Sequence, residues 1–505
     1  VLTGKHLIDG RWQADGPTTF RSCNPAKRQP IGPPFHQAEE QECAWAAALA
    51  AAAFPAFSEL PGSRRADFLR SCAGELQAAG DALLETAACE TGLPLPRLAA
   101  EMERTCLQLE KAASIAASDS WREPCQDAAP ADLSAAELQR FMVPVGPVLV
   151  FPAGNFPFAY SVLGSDCASA LAVGCPVVVK AHEGHPGVSE LSAACVHRAM
   201  QKYAIPVGAF ALLQGPGEPV GRHLIQAEPF QAAGFTGSFR AGALLGRLAS
   251  QRQRPIPFFA EMGSLNPVLI LPEAQQESGH GAALAAAISR NAGQFCTRPS
   301  LLLLQECAST HSFLGSLANC LRTAGREVML AERIFQNYRQ ACTALGRQPG
   351  LEILCGAESQ GEEESWLGQP TLLATDAMTF LANRSLREEV FGPFTLAVRC
   401  AERGTLQRVV ESLEGQLTGT LLGSEVELQA AGELIRALAN RVGRLIFNGV
   451  PTGVRVSPAM QHGGPWPASS DSRFGAVDGL NYRRWVRPIC WQNAPPSLLP
   501  GWLKG

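Results

Sequence analysis

No C-x-x-C pair occurs anywhere in this chain, although its 505 residues include 16 cysteines scattered from Cys23 to Cys490. Disulfide frameworks and zinc sites both need tighter spacing, so free thiols in a reducing cytoplasm are expected. No block of Lys or Arg of the kind that tracks phosphates is present, and the formal charge is only -4. Nucleic acid and an anionic membrane are therefore not expected as partners. Long apolar runs are missing as well: the Ala-rich stretch from Ala44 to Ala53 is interrupted by Trp45 and stops at Pro55, too short to span a bilayer. The first ten residues begin without Met and lack the charged region and apolar core of a secretion signal. His182-Glu183-Gly184-His185 has the wrong spacing for a zinc-binding H-E-x-x-H helix and runs at once into Pro186, so no metal is expected.

What is present is an ordinary apolar fraction of 46% and a charged fraction of 17%, in a chain long enough for two or three domains. Residues 38 to 115 alternate Ala/Leu-rich helical segments with polar faces, most clearly from Arg64 to Glu85. From Val143 onward the character changes to short apolar runs between Gly/Pro turns: Val148 to Phe151, Pro176 to Lys180, Phe210 to Leu213 and Ala232 to Phe235. Helical stretches such as Ser189 to Tyr203 lie between them. Continuous apolar strands alternating with helices indicate a parallel sheet covered on both faces. A second series runs through Pro267 to Leu271, Leu301 to Leu304, Phe394 to Val398 and Arg444 to Phe447. The join is expected in the Arg/Gln/Pro stretch Gln251 to Pro257. The polar segment Ser118 to Gln139 and the tail from Asn481 are not obvious core, and read either as a projecting arm for subunit contacts or as disordered loop.

One cysteine differs from the rest by its setting. In Asn291-Ala292-Gly293-Gln294-Phe295-Cys296-Thr297-Arg298-Pro299, an Ala-rich helical stretch from Ala282 to Ala292 enters a turn that precedes the apolar run at Leu301. A thiol there is held by backbone on both sides and can face a cleft. Phe151-Pro152-Ala153-Gly154-Asn155-Phe156-Pro157 presents a single side-chain amide, which either caps its own turn or donates to an oxyanion. Glu261 emerges from the apolar end Phe258-Phe259-Ala260; burial there would raise its pKa toward that of a general base, whereas an exposed acid would do nothing of the kind. Lys180 and Glu183 follow the strand Val177-Val178-Val179, where an open sheet binds ligands and where they could hydrogen-bond a nucleotide ribose; a solvated lysine is the alternative. Phe235-Thr236-Gly237-Ser238-Phe239-Arg240-Ala241-Gly242 sits between a strand and a helix-capable run. Gly237 admits a phosphate to the backbone, and Ser238 offers a hydroxyl at a helix N-terminus. The Lys-Ser/Thr of a P-loop is absent, which speaks against ATP hydrolysis.

Taken together, Pro-Ala-Gly-Asn-Phe-Pro at 152–157, Lys180, Phe-Thr-Gly-Ser at 235–238, Glu-Met-Gly-Ser-Leu-Asn-Pro at 261–267, Gly-Gln-Phe-Cys-Thr at 293–297 and Glu-Val-Phe-Gly-Pro at 389–393 resemble the aldehyde dehydrogenase superfamily, in family order. The resemblance implies an α/β fold with a Rossmann-like cofactor domain (1–117 and 140–253), an α/β catalytic domain (254–447) and a small oligomerisation arm (118–139 and 476–505). It implies Cys296 as nucleophile, Asn155 with the Cys296 N–H as oxyanion hole, and Glu261 as the base that activates water. For NAD or NADP it implies Lys180 and Glu183 at the adenosine ribose, Gly237 and Ser238 at the pyrophosphate, Glu389 at the nicotinamide ribose and Phe391 beside the ring. A homodimer or homotetramer follows from the same likeness.

Within the superfamily the chain is most similar to α-ketoglutaric semialdehyde (2,5-dioxopentanoate) dehydrogenases, through Lys180-Ala181-His182, His185-Pro186-Gly187, Phe447 to Val454, His462-Gly463-Gly464-Pro465-Trp466-Pro467 and Arg487 to Asn493. Some relatives oxidise long-chain fatty aldehydes instead, and some aldehyde dehydrogenase folds serve as structural or binding proteins; intact Cys296, Glu261 and Asn155 argue against the latter. Glu183 should repel a 2′-phosphate and favours NAD, while Arg240 pulls toward NADP. An anionic substrate calls for an arginine in the pocket, and Arg298 is the one nearest to Cys296 in sequence.

Overall fold

The computed structural model describes residues 1–128, 137–356, 366–477 and 479–503. Residues 129–136 of the expected arm, with 478 and 504–505 of its tail portion, lie outside the described residues. Five short apolar runs form the parallel heart of a seven-stranded sheet, in the order Phe258–Glu261, Ala232–Thr236, Val148–Phe151, Val177–Lys180 and Phe210–Leu213. His6–Ile8 and Arg11–Gln13 extend the far edge in antiparallel register. Alternate side chains point to opposite faces, as a strand demands. Val148, Val150, Val177 and Val179 join the core of Leu171 and Val196, while Leu149, Phe151 and Val178 join that of Val220 and Leu224. Both faces are thus buried, which is why these runs carry no polar alternation.

A second seven-stranded sheet runs Glu352–Cys355, Thr371–Asp376, Phe394–Cys400, Leu301–Gln305, Val268–Ile270, Gln416–Leu422, Val442–Phe447, parallel except at its first pair. Leu301 and Leu303 pack on one side and Leu302 and Leu304 on the other. A third, antiparallel sheet pairs Cys125–Asp127 with Leu138–Pro144 and Leu138–Pro144 with Val486–Gln492. No helix among the described residues is long and apolar enough to cross a membrane.

Two helical expectations are corrected. The stretch expected as one helix from Arg64 to Glu85 is two, Gly62–Ala78 and Gly80–Thr91, which break at Ala79 beside the poor helix former Gly80. The helix expected to reach Ala292 stops at Ser289, and Asn291 and Ala292 take left-handed backbone angles (φ 52° and 51°).

The tail docks on the first sheet's helices through buried polar contacts. Arg484 pairs with Asp166 at 2.6 Å, with side chains 4% and 10% exposed, and the Trp485 indole donates to Ser169 at 2.8 Å. Removing one partner of such a pair leaves a buried charge uncompensated. Asp166→Ala is therefore expected to lower the unfolding free energy by about 3–5 kcal/mol in denaturant titrations. A loss below about 1 kcal/mol would mean that Arg484 keeps its solvation without Asp166.

Candidate active site

Strand direction explains why the singled-out residues meet. In the first sheet Asn155, Lys180, Gly237 and Glu261 all lie at or just past carboxyl ends of parallel strands. Strand order reverses between Val148–Phe151 and Ala232–Thr236, the position where open α/β sheets bind ligands. The second sheet turns its opposite edge to this place: Cys296 precedes the strand that begins at Leu301, and Glu389 precedes the one that begins at Phe394.

The cysteine loop is tied down from several directions. The Asn266 amide donates to the carbonyls of Cys296 (2.8 Å) and Arg298 (2.9 Å), and its own oxygen accepts from Thr418. Glu327 accepts from the Ala292 N–H at 2.9 Å, holding a residue whose positive φ is unfavourable for a side chain with a Cβ. Gly293, at φ 63°, has no room for a Cβ against the Gly392 carbonyl and Pro393. The Asn155 amide does not cap its own turn; it reaches across to the Gln294 carbonyl at 2.9 Å, placing an N–H donor next to the thiol's loop.

Cys296 Sγ lies 3.5 Å from His462 Nε2, and the same nitrogen lies 3.0 Å from Glu261 Oε1. His462 and Glu261 are both buried. The second contact is short enough for an ion pair but is not aligned as a hydrogen bond. Burial, then the negative charge of Glu261, raises the Cys296 thiol well above its ordinary value; Arg104 works the other way. The thiol is thus protonated at neutral pH and needs a proton acceptor beside it, which the imidazole and carboxylate supply. The three donor atoms lie within 4.8 Å of one another, a set whose chemistry would also suit zinc.

In the sequence His462 stands within a motif that assigns it no role. It arrives on the segment that runs beside the Glu261 strand: Met262 donates to Ala468, Ser470 donates to Ala260, and Glu261 forms a single bridge with Ser469. Gly464 lets that segment press against the Gln416 carbonyl, where a Cβ would clash. A histidine followed by two glycines is the signal the sequence offers.

The side of the crevice expected to take the nucleotide is equally defined. Lys180 is buried, not solvated, and donates to Glu183 at 3.0 Å. Burial alone would raise Glu183, but the Lys180 and His182 charges outweigh it and hold the carboxyl at about 2. Ser238 is the N-cap of helix Phe239–Ser250 and accepts from the Ala241 N–H; Gly237 and Ser238 are exposed. Lys180 and Ser238 follow strands separated by one strand, hence about 10 Å apart. Glu389 is raised by burial to about 7, with Arg298 drawing it back, and Phe391 is partly exposed two residues on. These residues fit a dinucleotide: a buried ammonium paired with an exposed carboxylate for hydroxyls, and a glycine and helix N-terminus for phosphates.

Arg298 does not line the pocket. It is fully buried, and its guanidinium donates to the carbonyls of Phe394 and Val390, so it stitches the cysteine loop to the Glu389 loop. An aromatic wall adjoins His462: Phe156 packs edge-on against Tyr160 (5.2 Å) and Phe295 (5.7 Å), and Tyr160 lies 6.2 Å from the imidazole.

The chain matches the profile of the aldehyde dehydrogenase family over residues 12–482. It is 40% identical over 507 residues to an alpha-ketoglutaric semialdehyde dehydrogenase of Acinetobacter baylyi, covering 99% of this chain and 96% of that one. It is likewise 40% identical over 506 residues to alpha-ketoglutaric semialdehyde dehydrogenase 2 of Azospirillum brasilense, with the same coverage. Its fold is that of a double-mutant betaine aldehyde dehydrogenase from Staphylococcus aureus solved in complex with NAD+, at a TM-score of 0.84 and 20% identity, covering 99% and 98% of the two chains.

Because the Glu261 charge helps to raise the Cys296 thiol, Glu261→Gln should move the pH midpoint of Cys296 alkylation by iodoacetamide downward, followed on the Cys296 peptide by mass spectrometry. An upward move would show that the carboxylate chiefly accepts the thiol proton and does not chiefly repel the thiolate.

Proposed function

The chain belongs to the aldehyde dehydrogenase family, and on that footing we propose that it oxidises α-ketoglutaric semialdehyde to 2-oxoglutarate with NAD or NADP, in the cytoplasm. The observation that carries the chemistry is the contact series Cys296–His462–Glu261, a nucleophile and a carboxylate joined through one imidazole nitrogen. Substrate choice is supported by the two full-length relatives of that activity.

In this reading His462 Nε2 takes the thiol proton as Cys296 adds to the aldehyde carbon and returns it to the Cys296 thiolate when the thioester is hydrolysed, so the Glu261 carboxylate stays free for water. The oxygen that becomes negative is held by the Asn155 amide and the Cys296 N–H, donors fixed in advance by their loops. Lys180, Glu183, Gly237, Ser238 and Glu389 would hold a nicotinamide dinucleotide, whose chemistry there would be to accept the hydride. Glu261 then draws a proton from the water that hydrolyses the thioester and frees Cys296. The exposed carboxylate of Glu183 favours NAD over its 2′-phosphorylated form. Glu261, His462 and Cys296 handle protons in this scheme and need no metal. The three-stranded sheet, with its exposed edge strand Cys125–Asp127, is the surface assigned to dimer or tetramer assembly.

A second reading has one observation in its favour. The aromatic wall of Phe156, Tyr160 and Phe295 would also suit a medium- or long-chain fatty aldehyde.

The deciding test is kcat/KM for the semialdehyde and for hexanal and longer aldehydes, with each cofactor, before and after treatment with EDTA. The semialdehyde with NAD should be preferred, and chelation should change nothing. A preference for hexanal would overturn the substrate, and activity lost to EDTA and restored by zinc would overturn the metal-free scheme. Cys296→Ala serves as the control, with turnover abolished and cofactor binding kept.

A further inference from the structure

Helix Leu95–Ser118 sets Arg97, Glu101 and Arg104 at spacings of four and three, on one face. Arg97 has its charge paired with Glu101, donates to the Asn155 carbonyl at 2.8 Å and faces the Phe156 ring at 4.7 Å, although its buried Nε is unpartnered. Arg104 has no such counter-charge. One of its Nη groups donates to the Tyr160 hydroxyl at 3.1 Å, its guanidinium lies 5.4 Å from the Tyr160 ring, and its buried Nε has no partner. Among the described residues no carboxylate pairs with it. Arg444 approaches from strand Val442–Phe447. Its Nη groups bind the Pro451 and Gly453 carbonyls, and its buried Nε is also unpartnered, again with no acidic residue paired to it.

We propose that Arg104, assisted by Arg444, forms the anion subsite that holds the carboxylate of an aldehyde acid while its aldehyde carbon meets Cys296; the proposal rests on the aldehyde-acid reading of this same site. Half-buried cations with unused donors, beside an aromatic wall, are unfavourable unless an anion arrives. The guanidinium fork suits a carboxylate and gives nothing to an alkyl chain. Placement agrees. The Tyr160 and His462 rings lie 6.2 Å apart, and His462 touches the Cys296 thiol, so one aromatic ring stands between imidazole and guanidinium. The charge of Arg104 acts on the Cys296 thiol, and the Cys296 and Tyr160 groups act on Arg444. In α-ketoglutaric semialdehyde four C–C bonds separate the aldehyde carbon from the carboxylate carbon, an extended reach of roughly 5 Å. Such an acid spans the wall from thiol to guanidinium, and a long alkyl aldehyde would have to push past an uncompensated charge.

The test compares α-ketoglutaric semialdehyde, 5-oxopentanoate and pentanal on the wild type, Arg104→Leu and Arg104→Lys. The Leu variant should lose about 10- to 100-fold in kcat/KM for both acids, chiefly through KM, the size expected for a charge-assisted hydrogen bond. Pentanal should change little, and Lys should recover part of the loss for the acids. Equal losses for acids and pentanal would sink the subsite, because Arg104 would then act through the thiol or the fold. A wild type that prefers pentanal to both acids would sink the aldehyde-acid reading instead. Calorimetry with glutarate, an unreactive probe, on the Cys296→Ala protein separates the two. Binding weakened about tenfold or more by Arg104→Leu sustains the subsite, and unchanged binding overturns it.

Discussion

Five residues separate Glu261, at the end of a strand in the first sheet, from Pro267, at the entry to a strand in the second, and the site depends on how that connector is held. Ser264 accepts from the Leu417 N–H, the Leu265 N–H donates to Gln416, and Asn266 takes up Thr418 on one side and the cysteine-loop carbonyls on the other. All of these side chains are buried, so each group left without its partner would cost about 1–3 kcal/mol. The acid and the nucleophile are therefore fixed by one buried polar network, and neither can shift without breaking the other's support. The left-handed turn at Asn291 and Ala292 is tolerable for the same reason: its neighbours hold it in place.

That rigidity has a chemical consequence. Burial and the Glu261 charge make the Cys296 thiol a poor acid, which leaves deprotonation to the moment of attack. The imidazole of His462 stands where it can serve both halves of the reaction, because the same nitrogen faces thiol and carboxylate. The proposed anion subsite belongs to a different element. Helix Leu95–Ser118 carries Arg97 toward the Asn155 loop and Arg104 toward the Tyr160 wall, so a single helix face supports the loop of the proposed oxyanion donor and carries the proposed subsite.

Much of the fold was legible because parallel strands buried on both faces have to be continuously apolar. Val148–Phe151, Phe210–Leu213 and Leu301–Gln305 announce themselves by that rule. Gln416–Leu422 does not, although all of it is buried, since Gln416 and Thr418 serve the connector's network and, with Thr420, break the apolar run. The helix end near Ala292 was illegible for the opposite reason: alanine prefers to continue a helix, and only Glu327 and the crowded Gly293 contact override that preference. At the site, Cys296, Glu261, Asn155 and the Lys180–Glu183 pair were visible as local motifs on strand ends. His462 is 166 positions from the thiol it touches, and Arg104 looks like any charged residue on an amphipathic helix. Long-range contacts of that kind leave no local trace. Arg298 shows the converse error, in which nearness in sequence stands in for direction.

The central claim is that Cys296 carries the acyl group and that Glu261 brings the water that removes it. Glu261→Gln, mixed with α-ketoglutaric semialdehyde and NAD, should accumulate an acyl adduct visible by intact mass and mapped to the Cys296 peptide, decaying far more slowly than wild-type turnover. Continued rapid turnover with no adduct on Cys296 would contradict the account.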